Sequence, residues 1–68
     1  MQIKDLPLLL EQERKKQKLS LRNVEDEIGV SHATLSRIER GYAFDILTLE
    51  KIVAWLGLEI RFAKKEGE

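Results

Sequence analysis

The chain has no cysteine. No disulfide and no thiolate metal site can staple it, so a domain of 68 residues must be held by packing alone. Histidine occurs once, which rules out a helical two-histidine metal pair, and there is no glycine-rich phosphate loop. Serine, histidine and aspartate are present at no spacing that suggests a triad. The acidic run Glu25-Asp26-Glu27 lacks the spacing of a metal-binding loop. No enzyme and no cofactor is therefore expected. No apolar run approaches about 18 residues, so no membrane span is expected. A basic start followed by a long apolar run is also missing, so no secretion signal is read and the expected location is the cytoplasm.

What is present is concentrated between Leu19 and Gly41, in the run LSLRNVEDEIGVSHATLSRIERG. Ser20 is an N-cap candidate, because its hydroxyl can accept from an orphan amide one turn on. Leu21, Val24 and Ile28 recur at helical spacing and define one apolar face. Gly29 follows, where a left-handed residue stops a helix at low steric cost. Ser31 offers a second cap two residues later. Leu35 and Ile38 give the next helix its apolar face, and Gly41 ends it. Two short helices across a turn too tight for antiparallel packing make a helix-turn-helix pattern.

These residues resemble a known family. Ile28-Gly29-Val30-Ser31, followed by Thr34-Leu35-Ser36-Arg37-Ile38-Glu39-Arg40-Gly41, is similar to the DNA-binding domain of Cro/phage-repressor-type (XRE) regulators. The likeness extends over about residues 6–57. It implies an all-α, lambda-repressor-like bundle of four short helices in which the second helix of the motif is the recognition helix. It also implies that Arg14 and Glu39 pair, tying the first helix to the recognition helix. One departure stands out. The family usually has Ala where this chain has Glu25, at a close helix crossing; a Glu there must tilt to solvent or find a partner.

Twelve Lys and Arg balance twelve Asp and Glu, giving a formal net charge of zero. A DNA binder is often basic, because phosphate contacts dominate affinity. Distribution matters more than the sum. Arg14, Lys15, Lys16, Lys18, Arg22, Arg37 and Arg40 lie in or beside the motif, whereas Glu50, Glu59, Glu66 and Glu68 lie in the C-terminal part. With Leu35 and Ile38 inward, His32, Ala33, Ser36, Arg37 and Arg40 point outward. Arg37 suits bidentate pairing with guanine, His32 can donate to a base acceptor, and Ala33 can touch a thymine methyl. Ser31, Thr34 and Ser36 suit phosphates or local caps. Lys18 and Arg22 flank the start of the motif's first helix, where free amides favour a phosphate. By resemblance His32, Ala33 and Arg37 match base-contacting positions, and Arg40 and Tyr42 match positions near the backbone. Each residue alone is ordinary for a surface helix; the constellation carries the signal.

The flanks complete the expectation of one domain over residues 1–68. A first helix over residues 5–17 has Asp5 as cap, Pro7 in its first turn and Leu6 and Leu10 inward. Leu8 and Leu9 either widen the core or meet a partner. The motif helices span residues 20–28 and 31–40. Phe44 bridges to a fourth helix over residues 45–56, capped by Asp45 or Thr48, with Leu49, Ile52, Val53 and Leu56 inward. Trp55 lies beside that stripe as a core lid or an interface anchor. After Gly57, Leu58-Glu59-Ile60-Arg61-Phe62 alternates apolar and charged, which predicts a short strand over residues 58–63; a fifth helix is the competing reading. A lone strand needs a partner, either residues 1–4 or the same strand of a second copy. The second copy is favoured, with Trp55, Leu58, Ile60 and Phe62 at the dimer interface. The resulting expectation is a dimeric regulator, most simply a repressor, on a palindromic operator in double-stranded DNA. Two rivals are an antitoxin that also holds a toxin, and a protein-interaction module that has lost DNA binding.

Overall fold

The structure is a computed structural model and describes residues 3–61. A 3-10 turn over Ile3–Asp5 leads into four helices: α1 (Leu6–Lys16), α2 (Leu21–Ile28), α3 (His32–Glu39) and α4 (Ile46–Trp55). No strand occurs among the described residues. The architecture is the four-helix, all-α arrangement implied by the resemblance.

Helix starts follow local chemistry. Ser20 Oγ accepts from the Asn23 amide at 3.1 Å, and Asn23 Oδ1 accepts from the Ser20 amide at 3.0 Å. This is a capping box with Asn in place of the usual Glu or Gln. Ser31 Oγ accepts from the Thr34 amide at 3.1 Å, and Asp45 Oδ1 from the Thr48 amide at 2.8 Å. The α1 start differs: Asp5 makes no side-chain capping bond, and the chain enters through the 3-10 turn with Pro7 in the first helical turn.

The ends of α1, α3 and α4 share one device. In α3 the Tyr42 amide reaches the Arg37 carbonyl and the Gly41 amide reaches that of Ile38. In α4 Leu58 reaches Val53 and Gly57 reaches Ala54, and in α1 Leu19 reaches Arg14 and Lys18 reaches Lys15. Each is a Schellman closure around a left-handed residue. Gly41 and Gly57 adopt that conformation without a Cβ; Lys18 adopts it at φ 58°, the sole non-glycine residue with positive φ among the described residues.

The core draws on every helix: Leu6 and Leu10 from α1, Val24 from α2, Leu35 and Ile38 from α3, and Leu49, Ile52 and Val53 from α4. Each fully buried aliphatic side chain contributes about 1.5–3 kcal/mol. Val30, in the turn of the motif, is also buried. Sequence periodicity misses it because it belongs to no helix. Leu21, Ile28 and Leu56 pack only partly against this core rather than within it, Leu56 because it is the C-cap of α4. Phe44 packs there too, while Leu8 projects into solvent at 57% exposure.

Beyond Gly57, residues 58–61 carry no regular structure. Ile60 packs partly against the core and Leu58 is exposed. The 3-10 turn of Ile3–Asp5 offers no strand edge, so residues 3 and 4 supply no pairing partner within the chain. Phe62 and Ala63, the remainder of the expected strand, lie outside the described residues.

Two outcomes follow from the helix ends. A left-handed non-glycine residue carries about 1–2 kcal/mol of backbone strain. Lys18→Gly is therefore expected to raise unfolding free energy by about 1 kcal/mol in urea, with Lys18→Ala near neutral; equal effects of both would attribute the gain to charge. The Thr48 amide holds the Asp45 carboxyl below the usual aspartate range. Its stabilising contribution is thus complete above that range and fades as pH falls through the lower folded value. Asp45→Asn, which keeps the capping oxygen without the charge, is expected to remove this acid dependence from the denaturation midpoint.

Candidate nucleic-acid interface

The pose of α3 is set from two sides. On one side stands Arg14, from the last turn of α1. Its Nε donates to Glu39 Oε2 at 2.7 Å and its Nη2 to Glu39 Oε1 at 2.8 Å, a bidentate fork across 25 residues of sequence. Its Nη1 donates to the Leu19 carbonyl at 3.1 Å. Only 16% of the Arg14 side chain and 8% of the Glu39 side chain are exposed. The hydrogen bond that the guanidinium donates to Glu39 raises its pKa above the ordinary value, against the opposing effect of desolvation. One planar cation thus joins the end of α1, the following loop and the end of α3.

On the other side, α2 meets α3 through Glu25 and His32. Glu25 Oε1 lies 2.9 Å from His32 Nδ1. The carboxylate, which would crowd a close crossing, leans toward the start of α3 and finds a partner there. The hydrogen bond to His32 holds the Glu25 carboxyl below its usual range, with desolvation working the other way.

Ser31, Ala33, Arg37 and Arg40 are exposed; His32, Thr34 and Ser36 are half-buried. The Ser31 hydroxyl donates to Thr34 Oγ1 at 2.9 Å, and Arg37 Nη2 donates to the same oxygen at 3.3 Å. Ser31, Thr34 and Arg37 therefore form a line along one face of α3 that steadies the Arg37 guanidinium. Arg40 Nε donates to the Ser36 carbonyl at 3.3 Å, and its guanidinium lies 5.5 Å from the centroid of the Tyr42 ring. Lys18 and Arg22, at the entry to α2, are exposed as well. With its side chains a helix such as α3 is about 10–12 Å across, which a DNA major groove about 12 Å wide admits.

The residues expected at a dimer interface do not gather into this face. Trp55 sits at the core edge on α4, its Nε1 donating to Glu27 Oε1 of α2 at 3.3 Å. Leu58 and Ile60 follow it, and Phe62 lies outside the described residues. Two of the contacts that escaped sequence reasoning show why. The Arg14 bond to Leu19 joins a side chain to a backbone carbonyl, which leaves no residue-type signal. The Glu25–His32 pair spans a turn, where helical spacing rules do not apply.

No group of metal-ligating side chains able to hold an ion occurs among the described residues, and no described helix is long and apolar enough to cross a membrane. Such a surface, a short helix held at both ends whose exposed face carries Arg37 and Arg40, defines a helix-turn-helix DNA-binding domain. A profile of the helix-turn-helix family matches residues 10–62. The chain belongs to that family, of the Cro/XRE type, and is a DNA-binding domain of the transcription-regulator class. Comparison with curated proteins and with solved structures returns no match.

Removing one partner of a largely buried ion pair leaves the other stranded. Arg14→Met and Glu39→Met are each expected to cost about 3 kcal/mol of unfolding free energy. The double variant Arg14→Met/Glu39→Met is expected to cost less than the sum of its singles; strictly additive losses in calorimetry would show that the two side chains act independently.

Proposed function

We propose that the chain binds a palindromic operator in double-stranded DNA as a homodimer and represses transcription by occupying it. The observation that carries this reading is the exposed face of α3: Arg37, Ala33 and the half-exposed His32 stand clear of the core on a helix fixed at both ends. In this reading α3 enters the major groove, Arg37 pairs with guanine O6 and N7, and His32 and Ala33 reach neighbouring base edges. Lys18, Arg22, Arg40 and Tyr42 meet the phosphate backbone, as do Ser31, Thr34 and Ser36 where their local bonds allow. Two copies place two such helices about 34 Å apart, one turn of the duplex. Trp55, Leu58, Ile60 and Phe62 form the contact between copies, with residues 58–63 pairing as strands across the two-fold axis. The cytoplasm of a bacterial host is the compartment in which such a protein meets its operator.

A second reading rests on a specific surface. Ile46 and Leu47, at the start of α4, are 59% and 65% exposed, beside an open apolar groove lined by Ala43, Phe44, Asp45, Ile46 and Leu49. That surface favours a protein partner in addition to DNA, as an antitoxin would have. Co-purification of a small protein encoded beside this chain is the outcome expected of that reading, and purification of this chain alone counts against it.

Selection from a random duplex pool tests the proposal. A palindromic consensus is expected, with affinity falling as salt rises because bound counterions are released. Arg37→Ala is expected to relax preference at one symmetric pair of positions, at a loss of about 1–3 kcal/mol each. Sedimentation of the bound species is expected to show two copies per duplex. A folded protein that enriches no sequence at low salt would sink the operator reading.

A further inference from the structure

We propose that Glu25, a residue of α2 that makes no base contact of its own in the reading above, sets which bases His32 accepts. The inference rests on the DNA-binding reading. His32 is the first residue of α3, directly after the Ser31 cap. In that reading it lies in the turn that approaches base edges. Its Nδ1 is 2.9 Å from Glu25 Oε1.

A carboxylate only accepts hydrogen bonds. In the neutral imidazole one ring nitrogen carries hydrogen and the other accepts. The nitrogen facing Glu25 must then be the one that carries it. Nε2, on the far side of the ring, is left with its lone pair. Histidine at the start of a reading helix is ordinarily free to offer either polarity; here the second helix removes the choice. A lone-pair acceptor in the major groove is satisfied by cytosine N4–H or adenine N6–H, and it faces guanine O6 and N7 or thymine O4 with nothing to donate. Glu25 therefore acts as a positioning residue that makes His32 a reader of amino-bearing bases. Arg22, one turn before Glu25 on α2, is the nearby cation that helps keep the carboxylate charged.

The chain has a single histidine, so its ring nitrogens are read without overlap by long-range proton–nitrogen NMR on the free protein. At pH 8.5, where an ordinary imidazole is neutral, the Nδ1–H form is expected to predominate. Glu25→Gln keeps the shape but can donate as well as accept, and is expected to return the ring toward a mixture. A predominant Nε2–H form in the unsubstituted protein, or a tautomer unchanged in Glu25→Gln, overturns the proposal whatever the DNA result.

Duplex selection at the same pH supplies the second arm. The position read by His32 is the one whose preference is lost in His32→Ala. There the unsubstituted protein is expected to favour cytosine or adenine by about fivefold or more, and Glu25→Gln to level that preference while leaving the position lost in Arg37→Ala unchanged. Glu25→Ala, checked for folding by its melting curve, is expected to give the same levelling. A consensus that both Glu25 variants leave intact overturns the specificity role while the operator reading stands. A protein that shows the Nδ1–H form yet enriches no sequence overturns the operator reading, and the specificity role with it.

Discussion

The bidentate bond between Arg14 and Glu39 is the constraint on which the arrangement of this small bundle rests. Aliphatic packing fixes that α1 and α3 touch, but aliphatic contacts are non-directional and tolerate rotation. The fork of a guanidinium on a carboxylate does not tolerate it. Because Arg14 also holds the Leu19 carbonyl, the same cation anchors the chain just before α2 begins. The end of α1, the entry to α2 and the end of α3 are thereby referenced to one point. Glu25 and His32 set the opposite end of α3, so the helix is pinned at its first and last residues.

Much of the fold was legible in residues whose physics is local. Ser20, Ser31 and Asp45 can cap only where a helix begins, and Gly41 and Gly57 sit where left-handed closures end helices. Leu6, Leu10, Val24, Leu35, Ile38, Leu49, Ile52 and Val53 lie at helical spacing and are buried. What lay beyond reading was non-local or outside the menu. Val30 is buried in a turn, where no period applies. Lys18 closes α1 from a position that a glycine would mark, so α1 ends without the usual sign. The alternation after Gly57 reads as a strand, but a strand is a relation between two segments, and the described part of one chain contains no second edge.

The candidate site was legible to a different degree. Periodicity alone assigns an outward face to α3, and residue chemistry nominates Arg37 within it. The pairing of Arg14 with Glu39 is implied by resemblance alone, since 25 residues separate them. His32 illustrates the limit. Read singly it is an exposed histidine with two ring nitrogens to offer. Its chemistry is decided by Glu25, which the resemblance marks as a departure in need of a partner but which no residue spacing connects to His32.

The brevity of α3 has a consequence for genomic addressing. A helix of eight residues presents three or four side chains to base edges, enough to specify about four base pairs. Such a word recurs about once in every few hundred positions of random sequence, and a genome offers on the order of 10⁶ competing sites. One copy of this domain therefore has thousands of equivalent addresses. Reading two words at fixed spacing squares the discrimination, which a longer helix could not do, because a straight rod leaves the curving groove after about one turn. Under the proposed pairing, two reading helices together cut thousands of equivalent addresses to on the order of ten, which no single helix of this length achieves.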